Sequence, residues 1–332
     1  MAFFDLTPAE LATYAPELDE PADFDQFWAR TFEEHGSGPL DFTCEPVETH
    51  LAVLDAFEVS WLGFDGHRVY GWLALPRGIE GPLPAVVQYT GYSMGRGMPF
   101  ENIHFAVGGY AQFVIDARGQ GWRNGSPKPG SEDPGLRTSG SVPGFMTAGV
   151  LDPEGYYYRR LFVDAVRLAE AAAGHERVDA DRLFITGGSQ GGAMALAVAG
   201  LARHRGVRIA GCAADVPFMS HFRRAIGLTD AYPYKEVADY LAAYPQRAEQ
   251  VMRTLSYFDM MSMAARAESP GLFSVALMDQ ITPPSTVYAA YHHYAGDKSI
   301  EVYPFNGHEG GGGYQVERIH RWLAALDEGL SR

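Results

Sequence analysis

Residues 183–198 read Leu-Phe-Ile-Thr-Gly-Gly-Ser-Gln-Gly-Gly-Ala-Met-Ala-Leu-Ala-Val, and this stretch constrains the fold more than any other. The apolar run from Leu183 to Thr186 suits a buried strand, and the residues after Gly192 are helix formers. Ser189 stands between them at the apex of a sharp turn. There the backbone at the serine is strained and strand and helix pass close together, so the flanking positions must carry no bulky side chain. Gly187 and Gly191 meet that need. The turn lifts the serine hydroxyl off the sheet and leaves the N–H of Gln190 pointing at a reacting oxygen. In a chain with 38 glycines the G-x-S-x-G spacing alone carries little weight. The strand before it and the helix after it favour a nucleophile over a Gly-rich structural turn.

The rest of the chain supplies a matching frame. Residues 1–40 place Phe24, Phe27, Trp28 and Phe32 at helical spacing, which predicts an N-terminal helical extension with an aromatic stripe on the core. From residue 47 the pattern turns extended, with segments at 56–63 and 69–75 joined by a turn at Phe64-Asp65-Gly66-His67. Buried-type strands are expected at 85–89 and 112–116, with a short helix near 103–107 between them. A long Gly-, Pro- and Ser-rich loop covers 119–155, and loops of that length inside a domain often carry function. A helix at 156–173 follows, then the serine turn, then a strand at 207–213. Aromatic, helix-prone residues at about 215–255 break the alternation and read as an inserted cap. The alternation resumes with a strand at 272–277, a helix at 285–294, a strand at 300–303 and a helix from about 314 to 330. Hairpin-like strands followed by strand–helix units predict a single α/β domain over 1–332, a mostly parallel, doubly wound sheet of the α/β-hydrolase type.

Composition narrows the chemistry. With 26 basic and 41 acidic residues, the net charge of −15 argues against nucleic acid or an anionic membrane as partner. The two cysteines, Cys44 and Cys212, imply no disulfide framework. The first residues lack the basic and apolar run of a signal peptide, and no uncharged apolar stretch approaches the ~20 residues of a membrane span, so a cytoplasmic protein is expected.

A serine hydroxyl needs an imidazole to take its proton, and the imidazole needs a carboxylate to fix its tautomer. In this fold the partners follow the serine in the order acid, then histidine, each at the end of a later strand. That order excludes His35, His50, His67, His104 and His175; His204 and His221 come too early, and His292, His293 and His320 fall in predicted helices. His308 sits in a loop just after the strand ending at Tyr303 and is the expected base. Asp279 directly follows the strand when it is taken through 272–278 and is the expected acid; the alternative is a helix N-cap. Asp259 falls within an apparent helix and Asp297 at a helix end. Two donors are needed for a developing oxyanion. The N–H of Gln190 is one, and the loop after residue 89 offers the other, for which Tyr92 is the choice. Adjacent helical residues do not share a face, so His292-His293 is no metal pair, and the glycines at 310–313 lack the Lys-Ser/Thr of a phosphate loop. No metal or cofactor is expected.

These motifs together resemble carbohydrate esterase family 7, the acetyl xylan esterases and cephalosporin-C deacetylases. The resemblance is carried by Asp116-Ala117-Arg118-Gly119-Gln120-Gly121, by Gly187-Gly188-Ser189-Gln190-Gly191-Gly192, and by Tyr303-Pro304-Phe305-Asn306-Gly307-His308-Glu309. It covers most of the chain from about Phe24 onward. It implies removal of acetyl groups from small sugars and from cephalosporin C, with Ser189, Asp279 and His308 as triad and Tyr92 and Gln190 as oxyanion donors. It also implies a cytoplasmic homohexamer with sites facing an inner cavity. Two positions depart from the family pattern: Thr90 stands where histidine is usual, and Ala148 where arginine is usual. Arg118 and Gln120, with Glu309, are read as support for the site. An arginine fork there suits backbone carbonyls or a carboxylate and would hold the elbow loops in register.

Overall fold

The computed structural model, which describes residues 4–125, 130–136 and 144–330, assembles the apolar runs into one nine-stranded sheet. Its strands are β1 (Thr43–Val47), β2 (Leu54–Leu62), β3 (Arg68–Pro76), β4 (Leu83–Tyr89), β5 (Ala111–Ile115), β6 (Val178–Gly188), β7 (Gly211–Asp215), β8 (Gly271–Ala276) and β9 (Lys298–Tyr303). They lie in the order β1-β2-β3-β5-β4-β6-β7-β8-β9. The first three pairings are antiparallel and the rest parallel.

The helices are α1 (Pro8–Leu11), α2 (Phe24–His35), α3 (His104–Val107), α4 (Tyr157–Ala173), α5 (Gln190–Leu201), α6 (Phe222–Leu228), α7 (Tyr234–Ala243), α8 (Ala248–Ser256), α9 (Met260–Ala264), α10 (Pro284–His293) and α11 (Gly313–Leu330). The central strands read as apolar runs because both faces are covered. Val86, Phe184, Ala213 and Leu272 pack with Phe105 of α3 and Ile319 and Leu323 of α11. Their neighbours Ala85, Val87, Leu183, Ile185, Cys212 and Phe273 join the larger core with α2, α4, α5 and α9. The expected aromatic stripe lies in that core, with Phe24, Phe27, Trp28 and Phe32 all buried on α2.

Two expectations need correction, and one strand lies where no expectation was made. β1 was not anticipated: it is an exposed edge strand with Pro46 inside it and no apolar alternation. The strand expected at 207–213 begins at Gly211; Val207 and Ile209 are apolar because they pack on the core from outside the ladder. Asp259 is the N-cap of α9, accepting from the Met261 N–H, and not an interior helical residue. Of the long loop, residues 126–129 and 137–143 lie outside the described residues.

The chain N-terminal to α2 is tied to the far end of the sheet. Asp5 accepts from Arg224 and from the Ser285 N–H, each at 2.7 Å. His292 and His293 each bond a different main-chain oxygen of this segment, Leu11 at 3.2 Å and Pro16 at 2.7 Å.

The register decides the geometry of the site. Gly187 pairs with Ala214, Asp215 with Ser274 and Ala276 with Tyr303. The carboxyl ends of β6, β7, β8 and β9 therefore form one edge, from which the loops of Ser189, Asp279 and His308 leave.

Candidate active site

Ser189 joins β6 to α5 with φ 57° and ψ −119°, a conformation that costs a non-glycine residue roughly 1–3 kcal/mol. The surroundings impose it. The Ser189 N–H donates to Asp215 O at 2.9 Å, and its carbonyl accepts from Ala193 at 2.9 Å and Phe218 at 3.1 Å. A Cβ on Gly187 would lie 2.4 Å from the Gly191 carbonyl carbon, and one on Gly191 only 2.2 Å from Tyr89 O. No side chain fits at either place, as the sequence predicts. The segment after β7 shares the strain: Val216, Met219 and His221 have φ of 37°, 62° and 47°.

Asp279 and His308 meet across the ends of β8 and β9. Nδ1 of His308 lies 2.9 Å from Oδ2 of Asp279, whose side chain is fully buried. The same carboxylate accepts from the Ile281 N–H (2.8 Å), the Thr282 N–H (3.0 Å) and the Thr282 hydroxyl (2.6 Å). With Nδ1 donating, Nε2 is left as the proton acceptor. Glu309 holds the His308 loop from its other side, accepting from Asn306 Nδ2 and the Gly307 N–H. Among the described residues no hydrogen bond joins the Ser189 hydroxyl to this pair. Such contacts are often long in a ligand-free site and tighten with substrate.

The main-chain N–H groups of Tyr92 and Gln190 form no hydrogen bond among the described residues. Gln120 links the two stretches. Its amide donates to Gln190 Oε1 at 2.9 Å, and its oxygen accepts the Ser93 N–H at 2.7 Å. Tyr158 also donates to Gln190 Oε1, at 3.0 Å, and Gln190 reaches Thr90 O at 3.4 Å. Thr90, at the first departure from the family pattern, thus supports the loop through its main chain. Ala148, the second, accepts the Tyr157 N–H on its main-chain oxygen at 3.0 Å, a bond independent of the side chain.

Arg118 is fully buried, and its fork grips Asp164 of α4 through Nε and Nη2, with Asp133 3.4 Å away. A fork on a carboxylate is as expected. It does not hold the elbow loops in register, however; that contact belongs to Gln120. The Arg118 main-chain oxygen accepts the Tyr157 hydroxyl at 2.6 Å.

Sequence reasoning missed the surroundings of the Tyr92 side chain. Its ring meets Trp122 and Phe145 edge-on, and its hydroxyl donates to Glu236 of α7 at 2.6 Å. Nothing in the sequence links positions so far apart. Thr282 was also missed, although its place three residues after Asp279 is that of a local capping partner. Beneath the elbow, burial raises the Asp215 carboxyl to about 7, with bonds from Gln315 and Ser274 opposing the shift.

The profile of the acetyl xylan esterase family (AXE1) matches residues 1–326. The chain belongs to the acetyl xylan esterase family. Membership places it among carboxylic ester hydrolases. Solved structures of such esterases agree closely. One from Paenibacillus sp. R4 is 37% identical, with a TM-score of 0.88 over 96% of this chain and 99% of that one. Acetyl xylan esterase 1 from Thermoanaerobacterium sp. JW/SL YS485 is 29% identical, with a TM-score of 0.87 over 97% and 99%. The sheet of this acetyl xylan esterase family member therefore has the α/β-hydrolase fold. A curated relative, acetyl esterase Axe7A of Xylanibacter ruminicola, is 25% identical over 307 residues, 89% of this chain; the chain spans 66% of that protein's length.

Proposed function

We propose that the chain is a serine O-deacetylase acting on small acetylated carbohydrates such as xylooligosaccharides, and on the acetoxymethyl group of cephalosporin C. The observation that carries the reading is the Asp279–His308 hydrogen bond, formed on the same sheet edge as the strained Ser189 turn. His308 Nε2 takes the proton as Ser189 Oγ attacks the acetyl carbonyl carbon. The resulting oxyanion accepts from the Tyr92 and Gln190 N–H groups. Collapse breaks the bond to the alcohol, which leaves with the proton from His308, and an acetyl group remains on Ser189. Water then gives a proton to His308 and attacks the acetyl carbon, and acetate departs as Ser189 regains its proton. Asp279 holds the imidazole through its bond to Nδ1.

The names of the relatives support an acetyl ester as substrate. We infer the homohexamer and the cytoplasmic setting from the family resemblance; light scattering on the purified protein tests the first. No helix among the described residues is long and apolar enough to cross a membrane.

The competing reading is a broader short-chain carboxylesterase of the same fold. The test is kcat/KM over 4-nitrophenyl esters from acetyl to octanoyl, beside acetates of several alcohols. Each methylene forced into a packed site costs ~1–3 kcal/mol, so a deacetylase should fall roughly ten-fold or more per added carbon. A maximum at hexanoyl or beyond would replace the deacetylase with the carboxylesterase.

A further inference from the structure

Tyr92 is held by its side chain as well as by its place in the chain. On one side, Ser93 is fixed in the left-handed region at φ 72°, with its N–H on Gln120 and its carbonyl receiving Arg123. On the other, the Tyr92 hydroxyl is fully engaged. It donates to Glu236 Oε1 at 2.6 Å and accepts the N–H groups of Gly144 and Phe145 at 3.2 and 3.1 Å.

Glu236 is the unusual partner. It stands on α7, in the helical segment between β7 and β8, and its second oxygen accepts the Met146 N–H at 3.0 Å. One carboxylate thus joins three separate stretches: the loop after β4, the long loop before α4, and α7. The bridge continues into the core, where the Tyr156 hydroxyl donates to Met146 O at 3.1 Å. Glu236 forms no ion pair among the described residues, and partial burial of a carboxylate without a cation is costly. Burial accordingly raises its pKa, with the Tyr92 and Met146 bonds opposing the shift.

A two-ended clamp on one residue of a loop controls where the loop's N–H groups point. Misplacing a catalytic group by ~1 Å can cost ~10²-fold in rate, and losing one oxyanion donor ~10²–10³-fold. We propose that Glu236 is a positioning residue: through the Tyr92 hydroxyl it aims the Tyr92 main-chain N–H, so that α7 sets the geometry of the oxyanion site. The inference rests on Tyr92 being an oxyanion donor in the proposed reaction.

The test compares Glu236→Ala, Glu236→Gln, Tyr92→Phe and the double variant Tyr92→Phe/Glu236→Ala on 4-nitrophenyl acetate. Folded fraction is measured alongside by circular dichroism and thermal unfolding. Glu236→Ala should lower kcat about 10- to 100-fold with KM within about 3-fold of wild type. Glu236→Gln, which keeps an acceptor and the side-chain length, should recover most of that loss. The double variant should be no more than about 2-fold worse than the poorer single one, because both changes cut the same bond. The proposal is overturned if kcat of Glu236→Ala stays within about 2-fold of wild type. It is equally overturned if only KM rises, if the loss merely tracks the folded fraction, or if the two single losses multiply. Ser189→Ala in the same assay separates the layers: activity surviving there removes the underlying reaction, whereas its loss beside an unaffected Glu236→Ala removes only the positioning role.

Discussion

Gln120 donates its amide to Gln190 at 2.9 Å, and in doing so ties the residue after Ser189 to the loop that carries Tyr92. The same side chain accepts the Ser93 N–H at 2.7 Å, so one planar amide spaces the two candidate oxyanion donors. Gln120→Ala should lower kcat for 4-nitrophenyl acetate by on the order of 10²-fold with little change in KM. An unchanged kcat would mean that the spacing is set elsewhere.

Ser189→Ala should fold normally and lose activity by on the order of 10⁶-fold in kcat. His308→Ala should be comparably damaged. His320, packed on Phe105 of α3, serves as control, and His320→Ala should remain near wild type. Retention of more than about a hundredth of the wild-type rate by Ser189→Ala, or equal damage from both histidine changes, would undo the assignments.

Arg118→Met leaves Asp164 buried without its guanidinium, while Asp133 keeps Arg160 at 2.8 Å. Removing one partner of a buried pair typically costs ~3–5 kcal/mol, whereas replacing both by apolar groups is often near neutral. Arg118→Met should therefore lower the urea midpoint strongly, and Arg118→Met/Asp164→Leu should win part of it back. A double variant no more stable than Arg118→Met would contradict this.

Asp215 makes stability depend on pH. Its folded value of about 7 lies above the ordinary 3.8, so the fold prefers the neutral acid. The favourable contribution is complete below about pH 4 and is lost as pH rises through about 7, a change on the order of a few kcal/mol. Asp215→Asn keeps an acceptor for Gln315 without the charge. Its unfolding midpoint should rise relative to wild type between pH 4.5 and 8. A constant difference across that range would show that Asp215 does not titrate in the fold.

The parts legible in the sequence are those where one local cause dominates. Val86, Phe184 and Leu272 announce strands because both sheet faces are dry. Gly187 and Gly191 announce the turn because Tyr89 and Gly191 leave no room for a Cβ. Illegible parts have distributed causes. Thr43–Val47 pairs with β2 through its backbone and its first four residues are exposed, so no apolar pattern marks it. Val207 and Ile209 mimic a strand because apolarity reports burial and not ladder pairing. The Tyr92–Glu236 bond joins residues 144 positions apart, and Glu236 sits in no motif. The Arg118 fork could be foreseen as carboxylate-binding, but choosing Asp164 required the packing of α4.

The order of the sheet also bears on how the chain comes into being. β8 and β9, whose following loops bear Asp279 and His308, are the last strands in sequence and sit together at one margin, while β6 lies inside the sheet. During synthesis the serine turn and its supporting loops emerge long before the base and its acid exist. On the proposed assignments, a chain that ends before β8 carries the serine without the groups that would deprotonate it. The proton-transfer pair is therefore completed only after the last strand, once His308 follows Tyr303.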